Sequence, residues 1–400
     1  MADRSSSSIS SSDSSEFAPH CEPGLTKRRV LAAFVLALIG LVIIDVAIAR
    51  LFRMPASPNT MPTPLQQYFD YGRSVEGKLR RMIGPTDDDT APVARAGWLN
   101  DQTRGTRAPS NGKIHIAIYG QSFTEHMVES LQAMDNRFQI VAERSGPAAP
   151  LSHSYAAYRA DSAKPVADIA IIGVLASALP KVLSLTNMTA SFEAPTPFTY
   201  PRVRLENGSL VTVEPRVRTL SDLRRALHES AAWDAFVAQL RADDLAFDSL
   251  LFEADMFDQS SLARLARRSY GQYRLKRLAE RYHSQTGFIN KDGLLDVSKA
   301  ILGDIARIAR ERGQLAYIVL IHDRGYGNDL VTGLGTFLEE KRIPYLSTHV
   351  LGPPTDTRTF VPDGHFKSDI NEKLAKALRD DLLEKWLPGR GASAEIIGGL

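Results

Sequence analysis

The sequence predicts an α/β protein: a three-layer, open parallel sheet with helices on both faces, behind one N-terminal membrane-spanning helix. Three observations predict it. Strand patterns alternate with helical ones along the chain, the arrangement that builds parallel sheets. Two short runs, Ala167 to Val174 and Leu315 to Ile321, are almost continuously apolar, as central strands buried on both faces must be. Finally, Val30 to Ala49 is apolar except for Asp45, about the 20 residues a helix needs to cross a bilayer.

Ala2 to Glu16 are mostly serine and lack apolar surface to bury, so a disordered tail is expected over residues 1–29. Lys27, Arg28 and Arg29 precede the apolar run and Arg50 and Arg53 follow it. The three basic residues ahead of the run place the N-terminus in the cytoplasm and the remainder outside, in an inner-membrane, single-pass arrangement with a periplasmic domain. Cleavage after Ala47-Ile48-Ala49, as in a signal peptide, is the alternative. The long charged lead and the length of the run favour a retained anchor over residues 30–51.

Residues 52–112, rich in Pro, Thr, Asp, Arg and Gly, read as a linker or stalk with one helix in the apolar stretch Tyr68 to Ile83. The folded domain is expected over 113–388, with a short tail at 389–400. Ile114, Ile116 and Ile118 alternate with His115, Ala117 and Tyr119, the period of a strand. Met127, Val128, Leu131 and Met134 then recur at helical spacing. A second strand is expected at Phe138 to Ala142, a third and a fourth at the two apolar runs, and a short fifth near Pro344 to Leu346. A last helix is expected from Ser368, as its N-cap, to Trp386, with Ile370, Leu374, Ala377, Leu378 and Leu382 as its stripe. Between the third and fourth strands lies an insertion, 182–299. It opens with a hairpin around Asn207-Gly208, a strong turn signal, and continues in helices with Leu262, Leu265, Tyr273, Leu278 and Tyr282 turned inward.

Composition narrows the function. Apolar residues are 44% and charged residues 24% of the chain, and the net charge is +2, which gives no concentrated basic signal for nucleic acid. The single cysteine, Cys21, permits neither an intrachain disulfide nor a cysteine metal cluster. His349, Asp363 and His365 lack a metal-ligand spacing, and Arg324-Gly325-Tyr326-Gly327-Asn328 lacks the lysine of a phosphate loop. No cofactor is expected.

The chemistry concentrates in two segments. Ser122 sits where the first strand turns into the first helix, with free backbone N–H groups around it, so it suits either a helix cap or a nucleophile. A nucleophilic serine needs a base, and the base needs an orienting carboxylate. Of nine histidines, His365 stands out. It lies two residues after Asp363, with Gly364 between them, in a loop just ahead of the last helix. His126 is expected at the surface, His153 in a loop without a carboxylate, and His228 and His283 on solvated faces. His322 and Asp323 lie at the correct edge of the sheet but are adjacent in sequence.

The segment Ile118-Tyr119-Gly120-Gln121-Ser122-Phe123-Thr124 resembles the first block of the SGNH/GDSL hydrolases. Asp363-Gly364-His365-Phe366 resembles their last block, and Ser145-Gly146-Pro147 their second. The resemblance implies a flavodoxin-like SGNH fold and a triad of Ser122, His365 and Asp363. It implies an oxyanion hole from Ser122 and Gly146, with Ser177 standing where the family's third block has asparagine. Gln121 replaces the family's aspartate. The two-residue Asp–His spacing resembles that of alginate-type polysaccharide O-acetylation proteins. The implied activity is a membrane-tethered serine esterase or O-acyltransferase acting on acyl esters of cell-envelope or secreted glycan. The missing asparagine leaves a second reading open, an inactive glycan-binding or assembly module of the same fold.

Overall fold

A computed structural model describes residues 27–56, 60–83, 112–147, 149–162 and 167–386. The expected serine-rich tail up to residue 26, the whole stretch 84–111 and the tail 389–400 lie outside the described residues. The chain divides into two units, residues 1–51 and 52–400. The described part of the first is a single helix, α1 (Lys27–Leu51), none of whose residues is buried. It is long and apolar enough to cross a membrane, a property it shares with signal sequences.

The second unit begins with α2 (Pro64–Asp70) and α3 (Val75–Ile83), then β1 (Ile114–Gly120), α4 (Ser122–Met134), β2 (Phe138–Ser145), α5 (Leu151–Ser162) and β3 (Ile169–Leu175). The insertion follows. It comprises a 3-10 helix (Ala176–Leu183), β4 (Arg202–Glu206), β5 (Ser209–Val213), α6 (Leu220–His228), α7 (Ser230–Asp243), α8 (Ser249–Phe252), α9 (Ser261–Tyr282), β6 (His283–Ser284) and β7 (Gly287–Phe288). The chain then returns through α10 (Leu294–Glu311), β8 (Leu315–Ile321), α11 (Thr336–Glu340), β9 (Tyr345–Ser347) and α12 (Ser368–Asp381).

Five strands form one parallel sheet in the order β2-β1-β3-β8-β9. Alternation along its strands sends residues to two cores. On one face Ile116, Ile118, Ile171, Tyr317 and Val319 meet Met127, Val128 and Leu131 of α4 and Leu374 and Leu378 of α12. On the other, Ala117, Tyr119, Ile172, Ile318 and Leu320 meet Tyr155 and Tyr158 of α5 and Ile301, Leu302 and Ile305 of α10. The expected α/β architecture is therefore present, and α10, whose start was assigned to the insertion, belongs to the layers of the sheet.

The predicted hairpin forms as read. β4 and β5 pair antiparallel across Asn207 and Gly208, both at positive φ, +49° and +80°. That is the primed turn that matches strand twist. A third core lies beneath the insertion, where Leu223, Phe236 and Phe252 surround Val75, Leu79 and Ile83 of α3.

Three expectations are corrected. Residues 64–83 are no free stalk: α2 and α3 are built into the domain, because α3 has an apolar face to bury and the insertion supplies its partner. The buried face of α9 is also different. Tyr273 is exposed, Leu262, Leu265 and Leu278 are half-buried, and Ser261, Arg264, Arg267 and Gly271 face inward with Tyr282. Arginine can be buried there because carboxylates of the facing segments meet it. At the last helix, Ser368 is the first helical residue and not its cap. Lys367 holds the cap position without a side-chain bond.

Candidate active site

β1 ends at Gly120, and α4 begins two residues later at Ser122. The turn is this sharp because two glycines let the first turn of α4 lie directly on the sheet. A Cβ added at Gly173 of β3 would stand 2.0 Å from Thr124 Oγ1, and one at Gly120 2.7 Å from the same atom. Gln121, at the N-cap, makes no side-chain cap. Its Nε2 instead donates to the carbonyl of Ala149 at 2.7 Å, tying the loop after β2 to the loop after β1. The backbone N–H of Ser122 therefore opens a helix N-terminus that no side chain closes, at its positive end.

The loop before α12 delivers the other two residues. Gly364 N–H donates to the Val361 carbonyl at 3.0 Å, and Val361 N–H to the His365 carbonyl at 2.8 Å. The turn needs φ +95° at Gly364, a region that side-chain-bearing residues rarely adopt. Phe360 and Phe366 bridge as a pair and stack at 5.4 Å, while Phe123 lies against both His365 (4.8 Å) and Phe366 (5.1 Å). This aromatic packing fixes the imidazole against α4.

The three expected residues come together. Ser122 Oγ lies 2.6 Å from His365 Nε2. His365 Nδ1 lies 3.1 Å from Asp363 Oδ1, and the same oxygen accepts the backbone N–H of His365 at 3.1 Å. These contacts with His365 hold the Asp363 carboxyl below its ordinary value. Unlike the buried carboxylate of many triads, Asp363 is 69% exposed. The serine–histidine–aspartate order of contacts is that of a nucleophile, its base and an orienting acid.

The expected oxyanion hole is less complete. Ser122 N–H is free of a side-chain cap, as above. Gly146 N–H, however, donates to the Gly120 carbonyl at 3.2 Å. At Ser177 the backbone N–H donates to Asp323 Oδ1 at 3.1 Å. The reason is local. Ser177 is in the first turn of the 3-10 helix after β3, and Asp323, at the end of the neighbouring β8, satisfies that helix start. Burial pushes the Asp323 carboxyl up, opposed by its bonds to Ser177.

The sequence did not reveal the neighbours of His365. His126, expected at the surface, places its ring 5.3 Å from that of His365. Its position one turn beyond Ser122 on α4 is the signal that finds it. Glu125, on the same turn, is pushed up to about 7 by burial and by Glu143 and Glu129, while His365 opposes the shift. Four other histidines are placed as follows. His153 lies in α5, fully buried beside Tyr200, and burial takes it down to about 4. His283 is no solvated side chain, since its Nε2 is 2.6 Å from Asp329 Oδ2.

His322 is fully buried, and its Nε2 accepts the Leu330 N–H at 3.2 Å. Its Nδ1 then carries the proton and faces Ser347 Oγ at 3.3 Å, and that hydroxyl in turn lies 2.8 Å from His349 Nδ1. Among the described residues, no group of three or more His, Cys, Asp or Glu is placed to hold a metal ion.

No protein-family model matches the chain, and no curated protein matches it.

Proposed function

We propose that this chain is a membrane-tethered, extracytoplasmic serine ester hydrolase or O-acyltransferase of the SGNH/GDSL type. The observation that carries the reading is the 2.6 Å contact between Ser122 Oγ and His365 Nε2, made across the domain and backed by Asp363. Ser122 attacks an ester carbonyl while His365 takes its proton. Negative charge then develops on the carbonyl oxygen, where the uncapped N–H of Ser122 and the start of α4 stabilise it. His365 returns the proton to the leaving alcohol, leaving an acyl-Ser122 intermediate. Water or a sugar hydroxyl, deprotonated by the same imidazole, resolves it and regenerates Ser122. The cell-envelope or secreted glycan substrate, the periplasmic placement and the cytoplasmic N-terminus come from the family resemblance and the anchor-like α1. No nucleic acid enters this reading.

One observation favours a second reading, an inactive glycan-binding or assembly module. The N–H groups of Gly146 and Ser177 are both occupied by protein acceptors. Loss of one oxyanion donor costs roughly 100- to 1000-fold in turnover. The deciding experiment treats the full chain with a serine-directed fluorophosphonate and maps the adduct. The esterase reading expects labelling at Ser122 that Ser122→Ala and His365→Ala both abolish. A folded chain that stays unlabelled supports the inactive module.

A further inference from the structure

In the esterase reading the oxyanion hole depends on one peptide plane. Of the three donors expected, the N–H groups of Gly146 and Ser177 are taken by the Gly120 carbonyl and by Asp323, which leaves the N–H of Ser122. That N–H belongs to the planar peptide between Gln121 and Ser122, so it points wherever that plane is held.

Gln121 is fixed from three directions. Behind it, the Gly120 carbonyl accepts the Gly146 N–H at 3.2 Å. Ahead of it, its own carbonyl accepts the N–H groups of Thr124 at 2.8 Å and Glu125 at 3.2 Å. In a trans peptide the N–H and C=O point opposite ways, so a carbonyl turned into α4 turns the Ser122 N–H out of the helix start. The third hold is the side chain, 1% exposed, whose Nε2 donates to the Ala149 carbonyl at 2.7 Å.

That amide is unevenly satisfied. Its Oε1 is buried without a hydrogen-bond partner, against Gly173 of β3, where an added Cβ would stand 3.2 Å from it. An apolar side chain would fill the same space without burying an unpaired acceptor, so stability alone does not account for glutamine here. The bond to Ala149 does. It sets which way round the amide sits, since the reversed amide would face Oε1 to a carbonyl oxygen. It also explains why the aspartate of the family's first block is replaced: an ionised carboxylate only accepts, and the Ala149 carbonyl needs a donor.

We propose that Gln121 is a positioning residue that, anchored to Ala149, aims the Ser122 N–H at the ester oxygen on which charge develops. It acts through Ser122 and touches none of the reacting atoms. The proposal rests on the esterase reading and deepens it.

The test follows fluorophosphonate labelling of the full chain over a range of probe concentrations, because phosphonylation of Ser122 builds charge on an oxygen in the same place. Gln121→Met keeps the bulk of the side chain and removes the donor. It exchanges one unpaired buried acceptor, Oε1, for another, the Ala149 carbonyl, so the melting temperature should match that of the wild type. The saturating rate should fall about 100-fold, the effect of a lost or misaimed donor, while the half-saturating concentration stays within about twofold. Gln121→Asn keeps an amide that is one methylene too short to reach Ala149, and its saturating rate should fall likewise. Rates are taken per folded molecule, with the native fraction read by near-UV circular dichroism, so a variant that folds less well still reports. A saturating rate within about threefold of wild type in either variant, or a loss confined to the half-saturating concentration, overturns this proposal alone. A wild-type chain that stays unlabelled overturns the esterase reading and this proposal with it.

Discussion

Two regions of the domain are held together by opposite means. Around the sheet, α4 and α12 pack through the apolar side chains of Met127, Val128, Leu131, Leu374 and Leu378. Where α2 and α3 meet α9, the contact is ionic. Asp258 accepts the Ser74 N–H at 2.8 Å and its hydroxyl, and pairs with Arg267, which also reaches Asp255. Asp70 pairs with Arg73, Arg81 and Arg264. Apolar packing is non-directional and tolerates exchange of similar volumes. Buried charge is directional and fails sharply when one partner goes. The sheet core thus supplies stability, and the ionic seam fixes one register for the segment that follows α1.

The largest effect should come from halving a buried pair. Arg267→Ala leaves Asp258, 5% exposed, without its cation and should cost about 3–5 kcal/mol, measured by urea unfolding. Leu374→Ala in the sheet core should cost about 2–5 kcal/mol by leaving a cavity beside α4. If Arg267→Ala proves milder than Leu374→Ala, the seam is wetter than its burial implies.

Replacing both partners sharpens the contrast. Asp258→Leu with Arg267→Met should recover most of the loss, since apolar substitutes for a buried pair are often neutral. No recovery would mean that the bonds from Ser74 matter more than the charges do.

The smallest effect is a pH dependence. Lys78 donates to the carbonyls of Tyr71 and Phe192, and burial, only partly opposed by Asp70, brings it down to about 7. Between pH 7 and its ordinary value near 10.5 the unfolded chain keeps a proton that the folded one has released. Stability should therefore rise with pH across that window and be lost again as pH falls through 7. In Lys78→Met that rise should vanish, which unfolding midpoints at pH 6, 8 and 10 will show.

The same contrast explains what the sequence made legible. Apolar periodicity announces itself, so all five strands of the sheet, α4 and α12 were readable, as was the Asn207-Gly208 turn. β8 even has the bounds expected of it. Ser122, Asp363 and His365 were readable because strand ends and a short Asp-Gly-His loop constrain where side chains can meet. The ionic seam was not. On α9 the inward positions are Arg264 and Arg267, and a pattern of arginines signals solvent until their partners, 194 residues away in the case of Asp70, are known. Nor was the bond from the Ser177 backbone N–H to Asp323, a residue just past another strand. His126 was overlooked because its neighbour comes from the far end of the chain.

That last distance has a consequence during synthesis. Ser122 and His365 are separated by 243 residues, and α12, just beyond His365, is what packs against the helix that carries Ser122. A nascent chain presents Ser122 early, without His365. Their contact cannot form until 243 further residues have been made. A product truncated ahead of His365 would keep the serine and lack the contact altogether.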